Sequence, residues 1–245
     1  QRRHPRDQSP LLGPGGAPVK YTIGQGPLIG LDFETFCHED GGRPLGQPVC
    51  VTLFDGEHNS LFHVRDPECR AAVEWVLDHG IVVAFNLAFD LSCIVEVWPD
   101  LVDKVYALLD DGRGICLMVW ETLYVLATAG LADDQSVSGG LAAAAKSLLG
   151  VEVDKSADTW RLRYGELWDV PCDQWPEDAR NYALLDARLH HDVAVAMAAR
   201  DRATFGKAVP ALVHESRVAF GIRAQETNGF PVNTAAVDRL IGQEE

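Results

Sequence analysis

Leu28-Ile29-Gly30-Leu31-Asp32-Phe33-Glu34-Thr35 is the stretch on which the reading of this chain turns. An apolar run leads into it, so it predicts a buried strand. Asp32 and Glu34 lie two apart, and on a strand such residues project from the same face. Two acids on one face of a buried strand carry a heavy desolvation cost if nothing compensates them. A bound divalent cation removes that cost, because carboxylate oxygens suit Mg²⁺. The plainer alternative is an edge strand with ordinary surface acids. The apolar run Leu28-Ile29-Gly30-Leu31 argues against it.

Further strands are expected at Val49–Asp55 and Leu61–Val64, joined by the turn residues Asp55-Gly56-Glu57-His58-Asn59. Asp66-Pro67-Glu68 then opens a helix to about Asp78, with Asp66 as N-cap and Pro67 at the first position. Ile81-Val82-Val83-Ala84-Phe85 is a continuous apolar run and reads as a central strand covered on both faces. Asn86 follows as the N-cap of a helix to about Val97, ended by Pro99. Helices are expected over 100–111 and 119–129, with a short strand near Ile115–Leu117 between them. Ser138–Leu149 is a helix ending at Gly150. Residues 151–175 form a Trp-containing connection. Pro176-Glu177-Asp178 starts a long helix to about Arg200, and a last helix spans about Val209–Thr227. This order implies an α/β domain with a mixed sheet.

Two more motifs carry acids. Asp90 is four residues past Asn86, one turn into the helix that follows the central strand. α/β proteins place their sites where such a helix leaves the carboxyl end of a strand. Taken alone, Asn86 and Asp90 could merely cap and charge a helix start. Tyr182 and Asp186 sit at i and i+4 on the long helix and share a face. Taken alone, they could be a simple surface contact. Together, three separate elements each deliver a carboxylate, and one adds a phenol. His190 and His191, just beyond, read as surface residues.

As a set, Asp32-x-Glu34, Asn86-x-x-Phe89-Asp90 and Tyr182-x-x-x-Asp186 resemble the DEDD superfamily of 3′–5′ exonucleases. The resemblance is to its tyrosine subclass. Asn181 stands where the histidine subclass carries its histidine. Asp32-Phe33-Glu34-Thr35, Leu141–Gly150, Asp154-Lys155, Trp160, Tyr164-Gly165 and Trp175-Pro176 are further similar to the proofreading domains of family A DNA polymerases, including phage-type ones. Ala224-Gln225-Glu226-Thr227-Asn228-Gly229-Phe230-Pro231-Val232-Asn233 looks like the junction into a polymerase part, and no polymerase palm motif is present.

The resemblance implies a ribonuclease H-like five-stranded mixed sheet flanked by helices, with a helical C-terminal extension. The proline and glycine content of 1–27 reads as a tail or linker, and the resemblance implies an exonuclease domain over 28–203 and the start of a polymerase-like region over 204–245. It implies two divalent cations, Mg²⁺ or Mn²⁺, about 4 Å apart. Asp32 would bridge both, Glu34 and Asp186 would complete the first site, and Asp90 would hold the second. Tyr182 would orient the attacking water. Thr35, Asn86 and Phe89 are candidates for gripping terminal nucleotides, although Phe89 could equally be core. Arg161, Arg163 and Arg180 are candidates for the nucleic-acid backbone. The expected partners are a single-stranded DNA 3′ end, with RNA as the other possible substrate, and a joined polymerase domain. The alternatives are a standalone exoribonuclease of the ribonuclease D type and a degenerate nuclease fold serving as an interaction module.

Composition bounds these readings. A chain of 245 residues, 47% apolar, is long enough for one large domain with a sizeable core. Residues 1–27 hold five of the thirteen prolines, and no secretory signal is visible. No apolar run approaches membrane-spanning length. The six cysteines form no CxxC pair, and Cys50, Cys93 and Cys116 have apolar neighbours, which fits reduced thiols in the cytoplasm of a bacterial or phage-infected cell. The net charge of −15 excludes a surface that coats long duplex DNA. Locally bound cations could still let the chain hold a few nucleotides.

Overall fold

The computed structural model describes residues 26–36, 46–130, 140–153, 160–207 and 211–228. Most of the proline-rich tail, Cys37, Asp154-Lys155, the expected helix start at Ser138 and residues 229–245 lie outside them. The strands are β1 (Leu28–Phe36), β2 (Gln47–Phe54), β3 (Asn59–His63), β4 (Ile81–Ala84) and β5 (Gly114–Cys116). The helices are α1 (Pro67–His79), α2 (Leu87–Val97), α3 (Val102–Asp110), α4 (Leu117–Ala129), α5 (Gly140–Leu149), α6 (Glu177–Phe205) and α7 (Leu212–Asn228). Sheet order is β3-β2-β1-β4-β5. The β3-β2-β1 meander is antiparallel, whereas β1-β4 and β4-β5 are parallel. This is the mixed five-stranded, ribonuclease H-like α/β sheet that the motif order implies, with a helical extension.

The sheet is buried on both faces, which is why β4 reads as an uninterrupted Ile-Val-Val-Ala run with every residue buried. On one face Ile29, Leu31 and Phe33 pack with Val73 and Leu77 of α1, Leu91 and Ile94 of α2, and Phe220 of α7. On the other, Ile81, Val83 and Ile115 pack with Trp120 of α4, Ala145 of α5, and Leu189, Val193 and Met197 of α6. The connection 160–175 folds into short 3₁₀ turns. Its Trp160, Tyr164 and Leu167 close over Val49 and Cys50 of β2 and over Trp175, Ala179 and Ala183. Among the described residues, all five cysteines are free thiols.

Local details depart from expectation at three polar residues. Asp66 and Asn86 occupy the N-cap positions of α1 and α2, but neither side chain caps its helix. Asp66 instead accepts the His63 N–H at 3.1 Å, tying α1 back to the end of β3. The third departure is His190. It is 3% exposed rather than on the surface. His191 is half-buried, its ring edge-on to Phe54. The long helix packs against β1, β2, β3 and β4, and one turn past Asp186 it still meets β1, where His190 reaches the Leu31 carbonyl.

Candidate metal centre

The centre depends on how closely α6 lies on the sheet. Ala179, Ala183 and Ala187, one turn apart, are each fully buried and form its contact stripe. Opposite them on β1 is Gly30. A Cβ built there would lie 2.0 Å from the Ala187 carbonyl oxygen and 2.9 Å from the His191 nitrogen. Both are backbone atoms, so only glycine permits this approach. Gly30, Asp32 and Glu34 share one strand face. The glycine that admits the helix is therefore two residues from the first acid.

Hydrogen bonds set the helix register along the same stripe. Tyr164 donates its hydroxyl to the Ala179 carbonyl at 2.8 Å. Thr52, paired with Asp32 across the β1-β2 ladder, donates to the Ala183 carbonyl at 3.1 Å. His190 Nδ1 lies 2.8 Å from the Leu31 carbonyl oxygen. A carbonyl can only accept, so that nitrogen carries the proton.

β1 and β4 are paired only from Leu28↔Ile81 to Gly30↔Val83. Past that point they part, and α2 begins at the carboxyl end of β4. The main-chain groups on that edge of β1 then find side chains instead of a neighbouring strand. Leu31 C=O takes His190, and Phe33 N–H donates to Asp90 Oδ1 at 3.0 Å. The end of strand pairing thus leaves the Phe33 N–H to a side chain, and that bond anchors Asp90 beside β1.

Between β1 and α6, one carboxylate oxygen from each of Asp32, Glu34 and Asp186 lies within 4.8 Å of the other two. Glu34 and Asp186 are buried, and Asp32 is half-buried. Burial, and next the negative charge of Asp32, push the Asp90 carboxyl well above its ordinary range. Asp186 adds to the rise, and the Phe33 N–H bond opposes it. The same field reaches three neighbours. Burial raises the Cys50 thiol, Cys93 thiol and Tyr164 hydroxyl, and the adjoining carboxylates push each further in that direction. An all-oxygen, multiply charged donor set of this kind matches Mg²⁺ or Mn²⁺. A cation there would relieve the like-charge repulsion.

A pH dependence follows from Asp90. Its carboxyl is raised in the folded protein, so in chelator the fold holds a proton that the unfolded chain has already released. Stability should therefore be greatest at the acid end of that window and fall as pH rises through it. Melting curves in chelator from mildly acidic to neutral pH check this. Asp90→Asn keeps an acceptor for Phe33 N–H and should flatten the slope, raising the neutral-pH Tm by a few degrees.

The other sequence-predicted residues fall as follows. Tyr182 is half-buried on α6, one turn before Asp186, its ring 6.4 Å from that of Tyr164. Thr35 is half-buried beside Glu34, where the β1-β2 register shifts. Asn86 is exposed. Phe89 is half-buried and packs against the core below α2. Arg161 is exposed, and Arg180 is half-buried in the first turn of α6. Arg163 is engaged by Glu166 at 2.9 Å and lies over the Trp160 ring at 4.2 Å. Sequence reasoning missed Gly30, Thr52, Tyr164 and His190. A lone glycine inside an apolar strand signals a close backbone approach and could have revealed Gly30. His190 stands one helical turn past Asp186, which could have placed it on the same face.

No family model matches this chain, and no curated protein matches it. Among solved structures it is similar to the crystal structure of Escherichia coli RNase D, described as an exoribonuclease involved in structured RNA processing. The TM-score is 0.51 at 20% identity, covering 81% of this chain and 45% of that one. The chain thus spans less than half the length of that protein, and at this identity the likeness is one of fold.

Proposed function

We propose that this chain is a metal-dependent 3′–5′ exonuclease that hydrolyses phosphodiester bonds and releases 5′-nucleotides. The observation that carries the reading is the convergence of Asp32 and Glu34 from β1 with Asp186 from α6 at ligand distance. Asp90 sits beside them, electrostatically joined to Asp32 and Asp186. Asp32, Glu34 and Asp186 would hold one cation, and Asp32 with Asp90 a second. Bound cations supply Lewis-acid stabilisation of the scissile phosphate and acidify an attacking water. The Tyr182 hydroxyl would orient that water for in-line attack, a task that Glu34 would share. Catalysis is then mainly positioning and charge stabilisation. A degenerate, non-catalytic fold is disfavoured because no member of the acid set is missing.

Of the two finer readings, an RNase D-like exoribonuclease is supported by the structural neighbour. Proofreading within a family A-like DNA polymerase is supported by the sequence likeness over 141–186 and 224–233. Incubation with 5′-labelled single-stranded RNA and DNA, with Mg²⁺, Mn²⁺ or chelator, separates them. Faster stepwise shortening of RNA supports the first reading, and faster shortening of DNA the second. No shortening of either substrate with either metal sinks the exonuclease reading.

Tyr182→Phe tests the water-orienting role. It should lower kcat by about 10²-fold, in the range of a lost general acid-base or orienting group. KM and metal affinity should barely change. A variant that loses metal affinity and kcat together would show that the phenol is structural.

A further inference from the structure

We propose that His190 is a positioning residue of this centre, acting through one hydrogen bond that joins the two segments carrying its opposing ligands. The inference rests on the metal-dependent reading above. His190 is one turn from Asp186 on α6, and its acceptor, Leu31 C=O, belongs to the peptide leading into Asp32. The two residues are 159 apart in sequence and 2.8 Å apart in space. Leu31 is fully buried and His190 nearly so, which keeps water from substituting for either partner.

Three features make this bond more than general packing. It lies where β1 has lost β4 as a neighbour, so the Leu31 carbonyl has no parallel strand to hold it. The nearby Gly30–Ala187 contact sets how close α6 comes, whereas a hydrogen bond also fixes where along β1 the helix lies. Thr52 and Tyr164 grip the carbonyls of Ala183 and Ala179, both before Asp186. His190 grips after it. With His190 gone, the turn beyond Asp186 loses this directional tie to β1 and keeps the packing of Leu189, Val193 and the His191 ring, so Asp186 can shift relative to Asp32 and Glu34. Groups outside a metal's own ligands that orient those ligands commonly change affinity about 10–100-fold when removed.

The test compares wild type with His190→Phe, His190→Asn and His190→Gln by calorimetric Mn²⁺ titration, with circular dichroism and Tm on each. An Asn amide nitrogen can sit near the Nδ1 position, whereas a Gln amide reaches past it. His190→Asn should bind Mn²⁺ within about threefold of wild type, and His190→Phe and His190→Gln about tenfold or more weakly. If hydrolysis is present, the two weak binders should lose it at limiting Mn²⁺ and recover it in excess, which a collapsed fold would not do. Should His190→Phe fail to fold, the Asn–Gln pair alone decides. Equal affinities across wild type and the folded variants overturn the role of His190 and leave the centre intact. A wild-type protein that binds no Mn²⁺ overturns the centre itself, and the inference with it.

Discussion

Asp186→Ala should reduce exonuclease activity by at least about 10³-fold while leaving the protein folded and, in chelator, no less stable than wild type. The two halves of this expectation come from the same geometry. Asp186 shares a cluster with Asp32 and Glu34 in which all three ligand oxygens lie within 4.8 Å of one another. Removing it would delete a ligand of the proposed first cation and weaken the hold on the reacting phosphate. Interactions made chiefly in the transition state are lost, so kcat should fall rather than KM rise. Yet carboxylates at this spacing repel one another when no cation intervenes, and truncating one relieves that repulsion. Excess Mg²⁺ or Mn²⁺ should stabilise the wild type through linkage, by about 2.7 kcal/mol at a hundredfold excess over Kd, and so raise its Tm, and should stabilise the variant much less. Single-turnover assays and melting curves, each with metal and with chelator, measure both halves. Activity within tenfold of wild type would remove Asp186 from the site.

Gly30→Ala should be nearly as damaging although it touches no ligand. The added methyl would meet the Ala187 carbonyl oxygen at 2.0 Å and the His191 nitrogen at 2.9 Å. Neither is the far end of a flexible side chain, so α6 must lift or slide. Forced shifts of packed elements typically cost about 1–3 kcal/mol, which at 25 °C a domain of this size can survive. A displacement of about 1 Å at a catalytic ligand is costlier for chemistry, on the order of 10²-fold. The expected result is a folded protein with a Tm lower by several degrees and activity reduced about 10²-fold or more. It should also show weakened Mn²⁺ binding. Normal metal affinity in folded Gly30→Ala would mean that the helix adjusts without moving Asp186.

The sheet and its helices were legible from the chain because their signals are local. The Ile81–Ala84 run, Pro67 at a helix start and Gly150 at a helix end each act within a few residues. The pairings of the site residues were legible for a related reason, whereas joining them with Asp90 into one set rested on the motif resemblance. Asp32 and Glu34 share a strand face, and Tyr182 and Asp186 share a helix face, through backbone periodicity alone. Asn86 shows the limit of this logic. Its type and position suit an N-cap, yet its side chain makes no capping bond. His190 shows the opposite failure. Its place just beyond the last acid suggested surface, because the strand that covers it lies far away in the chain and leaves no local signature.

The amino-acid sequence by itself therefore determined which elements form, which faces they bury and which carboxylates are available to a cation. The tertiary structure alone decided that those carboxylates meet. That meeting depends on the Gly30–Ala187 approach and on hydrogen bonds linking residues far apart in the chain. Asp90 and Phe33 are 57 apart, Thr52 and Ala183 are 131 apart, and His190 and Leu31 are 159 apart. Backbone propensity acts over one or two turns. The spacing of opposed charges is instead set by how closely a helix can lie on a sheet. That distance is fixed by van der Waals contact at one glycine and one stripe of alanines.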